Sequence, residues 1–134
     1  MSSSYAVQVG RPTYRKAYPV KEKQTSVFSF TLKDENGNPL GSGQLSAAKL
    51  TLFVSETGTI VNARNAQNIL NANNVTIDVS GNLVWTQQVA DMTIQNATVS
   101  QETHRALFYF EWQSGTRAHP HEADFVIENL DKLT

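Results

Sequence analysis

From Ser26 onward, apolar residues recur at every second position, the period of strands that bury one face. Phe28, Phe30 and Leu32 open the pattern, and the run 34–43 (DENGNPLGSG) then supplies Asn, Gly and Pro, which reverse a chain readily. Leu50, Leu52 and Val54 alternate with Thr51 and Phe53 and stop at a turn formed by Glu56, Thr57 and Gly58. Residues 65–74 (NAQNILNANN) break the period: Ala66, Ile69 and Leu70 have the spacing of a helical turn with Asn65 as its N-cap, so one short helical or irregular excursion is expected. Val75, Ile77 and Val79, the turn Ser80-Gly81-Asn82, then Leu83 and Trp85 predict a hairpin. The longest strand is predicted over 104–113, with Ala106, Phe108, Phe110 and Trp112 on one face and Leu107, Tyr109 and Glu111 on the other. A last run places Phe125 and Ile127 opposite Val126 and Glu128, ends in Asn129-Leu130, and is expected to pair antiparallel with the strand before it.

About seven short strands separated by turn signals, with no long helix, predict an all-β fold: an immunoglobulin-like antiparallel β-sandwich, with a small barrel as its rival. At 134 residues the chain holds one core. We divide it into an extended basic N-terminal arm, 1–25, and a sandwich domain, 26–134. The tyrosine, phenylalanine and tryptophan side chains of the body, Tyr109, Trp85 and Trp112 among them, fall mostly at alternating positions and are expected in the core, each stabilising the body by roughly 1.5–3 kcal/mol before entropy is counted.

Charge sharpens that division. Residues 1–25 carry Arg11, Arg15, Lys16, Lys21 and Lys23 against Glu22 alone, a net +4, which leaves −5 on the body of a chain whose total is −1. A basic arm seeks nucleic acid or an acidic protein face. The acidic body argues against nucleic acid. The arm also holds Tyr5, Tyr14 and Tyr18 beside Arg11, Arg15 and Lys16, and tyrosine and arginine dominate binding hot spots, so these six residues are the candidate partner-binding set.

Chemistry is sparse. There is no cysteine, which excludes disulfides, thiolate zinc sites and cysteine nucleophiles and fits synthesis in a reducing cytoplasm. The first residues lack the basic and apolar regions of a secretory signal, and no run approaches the ~18 apolar residues of a membrane span, so no membrane role is expected. His119-Pro120-His121 with Glu122 and Asp124 is the best metal candidate, yet no third ligand has a diagnostic spacing, and solvent-exposed histidines beside a turn are the expected form. Glu102 and His104, with Arg105, could be a general-base pair, but a surface ion pair is expected. No serine lies in a nucleophile elbow, and the glycines form neither GxxxxGK nor GxGxxG. The expectation is a protein that is not an enzyme and holds no cofactor or metal.

Read in order, FSFTLKDENGNPL, AAKLTLFVSETGTIVNARN, VTIDVSGNLVWTQQVADM, HRALFYFEW and HEADFVIENL, spanning residues 28–130, resemble tailed-bacteriophage virion domains and are similar to the N-terminal domain of phage baseplate upper proteins. The resemblance implies an immunoglobulin-like docking unit in a neck, tail, baseplate or fibre attachment, with other virion proteins as partners and no catalytic residue. It implies a protein made in the host cytoplasm and carried in the virion. The fibre or receptor-binding extension of the baseplate pattern is not in this sequence, which leaves the virion layer open. Virion positions are symmetric, so a homo-oligomer is expected. The alternative is a carbohydrate-binding or host-adhesion module, which requires an exposed aromatic platform such as Tyr109 or Trp85.

Overall fold

A computed structural model describes residues 4–8, 17–113, 115 and 117–129. In it the alternating runs form nine strands: β1 (Ser4–Gln8), β2 (Ala17–Lys21), β3 (Val27–Lys33), β4 (Leu45–Val54), β5 (Gln67–Asn68), β6 (Val75–Ile77), β7 (Asn82–Thr86), β8 (Gln101–Trp112) and β9 (Arg117–Glu128). Their order is β1-β3-β7-β6 in one sheet and β2-β9-β8-β4-β5 in the other. The fold is an all-β sandwich. Every pairing among the seven body strands β3 to β9 is antiparallel. The two N-terminal strands join differently: β1 runs parallel to β3 and β2 parallel to β9, each as the outermost strand of its sheet.

The core forms where the period-2 faces meet. Phe28 and Phe30 from β3 and Trp85 from β7 face Phe108 and Phe110 of β8 and Phe125 of β9, all at most 5% exposed. The rings meet edge-on in most pairs: Phe28 and Phe125 have centroids 5.4 Å apart at 80°, Trp85 and Phe125 5.7 Å at 83°. Such edge-to-face contacts add roughly 0.5–1.5 kcal/mol per pair beyond area burial.

Two turns at one end lock together. Leu32 N–H donates to Gly81 O (2.8 Å) and Ser42 N–H to Asp78 O (3.0 Å). Gly81 has φ +84, and a Cβ there would sit 2.7 Å from Leu32 O; at Gly41 it would sit 2.1 Å from Val79 O. Both positions therefore require glycine, one for conformation and contact, the other for contact alone. The predicted hairpin is present, but β6 ends at Ile77 and Val79 is 84% exposed. Asp78 ends the strand, its Oδ1 accepting the N–H groups of Ser80 and Asn82, each at 2.9 Å.

The excursion at 65–74 is irregular, with the two-residue β5 in place of a helical turn. Asn62, Ala63, Ala66, Asn71, Asn73 and Asn74 all have positive φ, which a right-handed helix cannot accommodate. Asparagine tolerates that region because its short amide bonds locally: Asn71 Oδ1 accepts Ile77 N–H (2.8 Å), and Asn73 Nδ2 donates to Asn68 O (2.7 Å).

Candidate functional site

Of the arm residues singled out, Arg11, Tyr14, Arg15 and Lys16 lie outside the described residues, as do the side chains of Tyr5 and Tyr18, whose backbones belong to β1 and β2. The described end of the arm docks on the body. Lys21 pairs with Glu128, Glu22 N–H donates to Glu128 O (2.8 Å), and Lys23 N–H donates to Met92 O (2.8 Å).

The Glu102–His104 pair is buried, where a surface pair was expected. Strand β8 keeps its parity for its whole length, so Glu102 and His104 point inward with Ala106, Phe108, Phe110 and Trp112. His104 is fully buried, with Nε2 2.6 Å from Glu102 Oε1 and Nδ1 3.1 Å from Asp91 O. Glu102 also accepts the N–H groups of Gln95 (2.8 Å at Oε1) and Asn96 (3.0 Å at Oε2). The pair thus holds the connection between β7 and β8 onto the sheet.

A buried ion pair between Arg64 and Asp91 continues this network. Asp91, in the short 3-10 turn Val89–Met92, accepts Arg64 Nε–H at 2.6 Å, Asn62 Nδ2–H at 2.9 Å and its own turn's Gln88 N–H at 2.8 Å. Arg64 is 1% exposed, donates from Nη1 to Gln67 Oε1 (2.7 Å) and Asn73 O (3.1 Å), and lies 5.7 Å from the centre of the Trp85 ring. No alternation marks Arg64 or Asp91, so the sequence reading missed both. The one available signal was a lone arginine among asparagines that must bend around something.

A cavity of about 140 Å³ abuts this network, lined among others by Glu56, Thr57, Thr59, Gln95, Asn96 and Glu102. It brings a carboxylate beside a histidine at a cleft. Yet Glu102 reaches the cavity already accepting from two backbone amides and paired with His104, an arrangement that orders a loop.

His119 and His121 are also buried, against the expectation of solvent exposure. Strand β9 turns His119, His121, Ala123, Phe125 and Ile127 inward, and the exposed Pro120 between the histidines does not change the parity. His121 lies 4.6 Å from the Phe30 ring centre. Burial, followed by the neighbouring His119, pushes the His121 imidazole down to about 4, and burial lowers His119 as well. Glu122 and Asp124 face the other side of the strand, so β9 does not gather the four proposed ligands. Among the described residues no three His, Asp or Glu side chains converge as a metal site, and no helix is long and apolar enough to cross a membrane.

Trp85 and Trp112 are 0% and 3% exposed, so neither is a platform for a sugar ring. Tyr109 is half-buried on the outer face of the five-stranded sheet and donates its hydroxyl to Glu111 Oε2 (2.7 Å), which raises the phenol above its ordinary pKa.

No family model and no curated protein matches the chain. Seven solved chains match it. One is the N-terminal domain of phage TP901-1 ORF48, similar at 13% identity and a TM-score of 0.48, over 93% of this chain and 98% of that one. A likeness of that size bears on neither activity nor partner.

Proposed function

We propose that the chain is a non-enzymatic structural protein of a phage virion, an immunoglobulin-like docking unit that binds neighbouring virion proteins through its N-terminal segment and its sandwich surface. The strand order carries the reading. Among the body strands, β3-β7-β6 follows B-E-D and β9-β8-β4-β5 follows G-F-C-C′, an order in keeping with the immunoglobulin architecture that the sequence resemblance implies for a docking unit, whereas β1 departs from it by running parallel to β3. The fate of the reactive groups supports the absence of catalysis: Glu102, His104, His119 and His121 are spent on holding loops or filling the core. The basic segment contributes the outermost strand of each sheet, with β2 ending in the exposed Lys21 and Lys23 beyond it, so it borders a body of opposite charge where a partner can engage both. Arg11, Tyr14, Arg15, Lys16, Tyr5 and Tyr18 are the proposed contact residues.

Mass spectrometry of purified particles tests the role. Tryptic cleavage after Arg105 and Arg117 releases ALFYFEWQSGTR, which should be recovered from particles made by cells expressing the gene, in fixed ratio to the capsid protein. Its absence from intact particles, with the protein present in the lysate, overturns the reading.

A further inference from the structure

The connection between β7 and β8 is gripped by two different parts of the chain. One is the body: Asp91 is fixed by Arg64 and Asn62, Glu102 accepts the N–H groups of Gln95 and Asn96, and Asn129 Nδ2 donates to Ala97 O (3.3 Å) and Val99 O (2.9 Å). The other is the end of the N-terminal arm. Lys23 N–H donates to Met92 O (2.8 Å), and Ile94 N–H donates to Glu22 Oε2 (3.1 Å). Arm and Glu102 therefore hold neighbouring residues of one short stretch, 92–96.

Residues 93–96 belong to no helix or strand, so their order rests on these bonds. The stretch nevertheless buries Met92 completely and leaves Ile94 8% exposed. A segment tied by few backbone bonds over buried apolar side chains opens as a unit. The arm end carries its own tension: Lys23 has φ 64, a left-handed conformation that a lysine keeps only where its surroundings hold it. What holds it there is the bond to Met92 O and, one residue earlier, that of Glu22 N–H to Glu128 O (2.8 Å). Gln95, Asn96 and Glu102 also line the cavity of about 140 Å³, so the position of the stretch sets part of that wall.

We propose that the arm is a latch: the seating of Glu22 and Lys23 and the ordering of residues 92–96 form one coupled unit, so that drawing the arm off the body loosens the wall of the cavity. The inference rests on the assembly reading for what draws the arm, a neighbouring virion protein that engages it. The coupling itself belongs to the chain alone. It is reciprocal, and loosening 92–96 from the Glu102 side must also loosen the arm.

The experiment is amide hydrogen exchange, resolved residue by residue by NMR, on the full chain and on Glu22→Ala and Glu102→Gln, with circular dichroism confirming that each folds. Glu22→Ala removes the acceptor of the Ile94 N–H alone, yet exchange at Lys23, Gln95 and Asn96 should rise by about fivefold or more. Glu102→Gln keeps the size of the side chain and touches no bond of the arm, yet exchange at Glu22 and Lys23 should rise as well. Leu40 and Ser42, whose N–H groups bond Leu32 O and Asp78 O beyond the opposite end of β3, should exchange as in the parent chain. No rise beyond the amides that lost their own acceptor overturns the proposal. So does an equal rise at Leu40 and Ser42, which marks global unfolding in place of a local unit. Neither outcome touches the particle mass spectrometry, so the latch and the virion role fail separately.

Discussion

Glu102 does more for the fold than its place near a strand end announces. Its carboxylate accepts the N–H groups of Gln95 and Asn96 and pairs with a fully buried imidazole. Removing the carboxylate leaves these donors without their acceptor, at a cost of about 1–3 kcal/mol. Glu102→Ala should lower the free energy of urea unfolding by that amount, and a loss under 1 kcal/mol would refute the loop-holding role. His121 supplies a pH dependence. Its folded-state value of about 4 lies below the ordinary 6.5, so between those values the unfolded chain binds a proton that the folded chain refuses. Stability from this site is thus intact above pH 6.5 and is lost as pH falls towards 4, by about 3 kcal/mol in total. Urea midpoints compared at pH 7 and 4.5 should fall less steeply for His121→Leu than for the parent chain. At this scale the sequence was half legible. Parity placed Phe108, Phe110 and Trp112 inside, and the same parity carried back to His104 and Glu102, and along β9 to His119 and His121. Polarity argued for the surface at those four positions, and the strand's period overrode it.

Among the elements, the connections carry most of the specificity. The 34–44 and 78–82 segments interlock through Gly41 and Gly81, with no room for a methyl group at either. Gly41→Ala and Gly81→Ala should each destabilise the domain by about 1–3 kcal/mol. Gly43→Ala, with nothing within 4 Å of the added carbon, should leave the melting temperature nearly unchanged. Equal effects at all three positions would show that the interlock contributes nothing. Turn chemistry made the reversals at 34–43 and 80–82 readable from Gly, Asn, Asp and Pro alone. The segment 61–74 was readable only as a break, because spacing cannot report that Ala63 and Ala66 take left-handed conformations around a buried Arg64. That geometry is imposed by Asp91, a residue distant in sequence.

On the scale of the molecule, antiparallel pairing of β4 with β8 and of β3 with β7 joins residues 50 or more positions apart. Loop closure must precede those contacts, so refolding should take milliseconds to seconds when followed by the fluorescence of Trp85 and Trp112. A microsecond phase carrying the full amplitude would contradict that topology. The two-sheet architecture was foreseeable from seven alternating runs, whereas the parallel seating of β1 and β2 was not, since the arm has little alternation to announce it.

The asparagine-rich flank has one more consequence. An unpaired strand edge is a template on which other chains can stack into cross-β fibres. Here β5 is cut to two residues and the Ile77 amide at the edge strand β6 is capped by Asn71. That flank offers a stray strand little to extend, so copies can be crowded side by side at the density of an ordered array without seeding amyloid there.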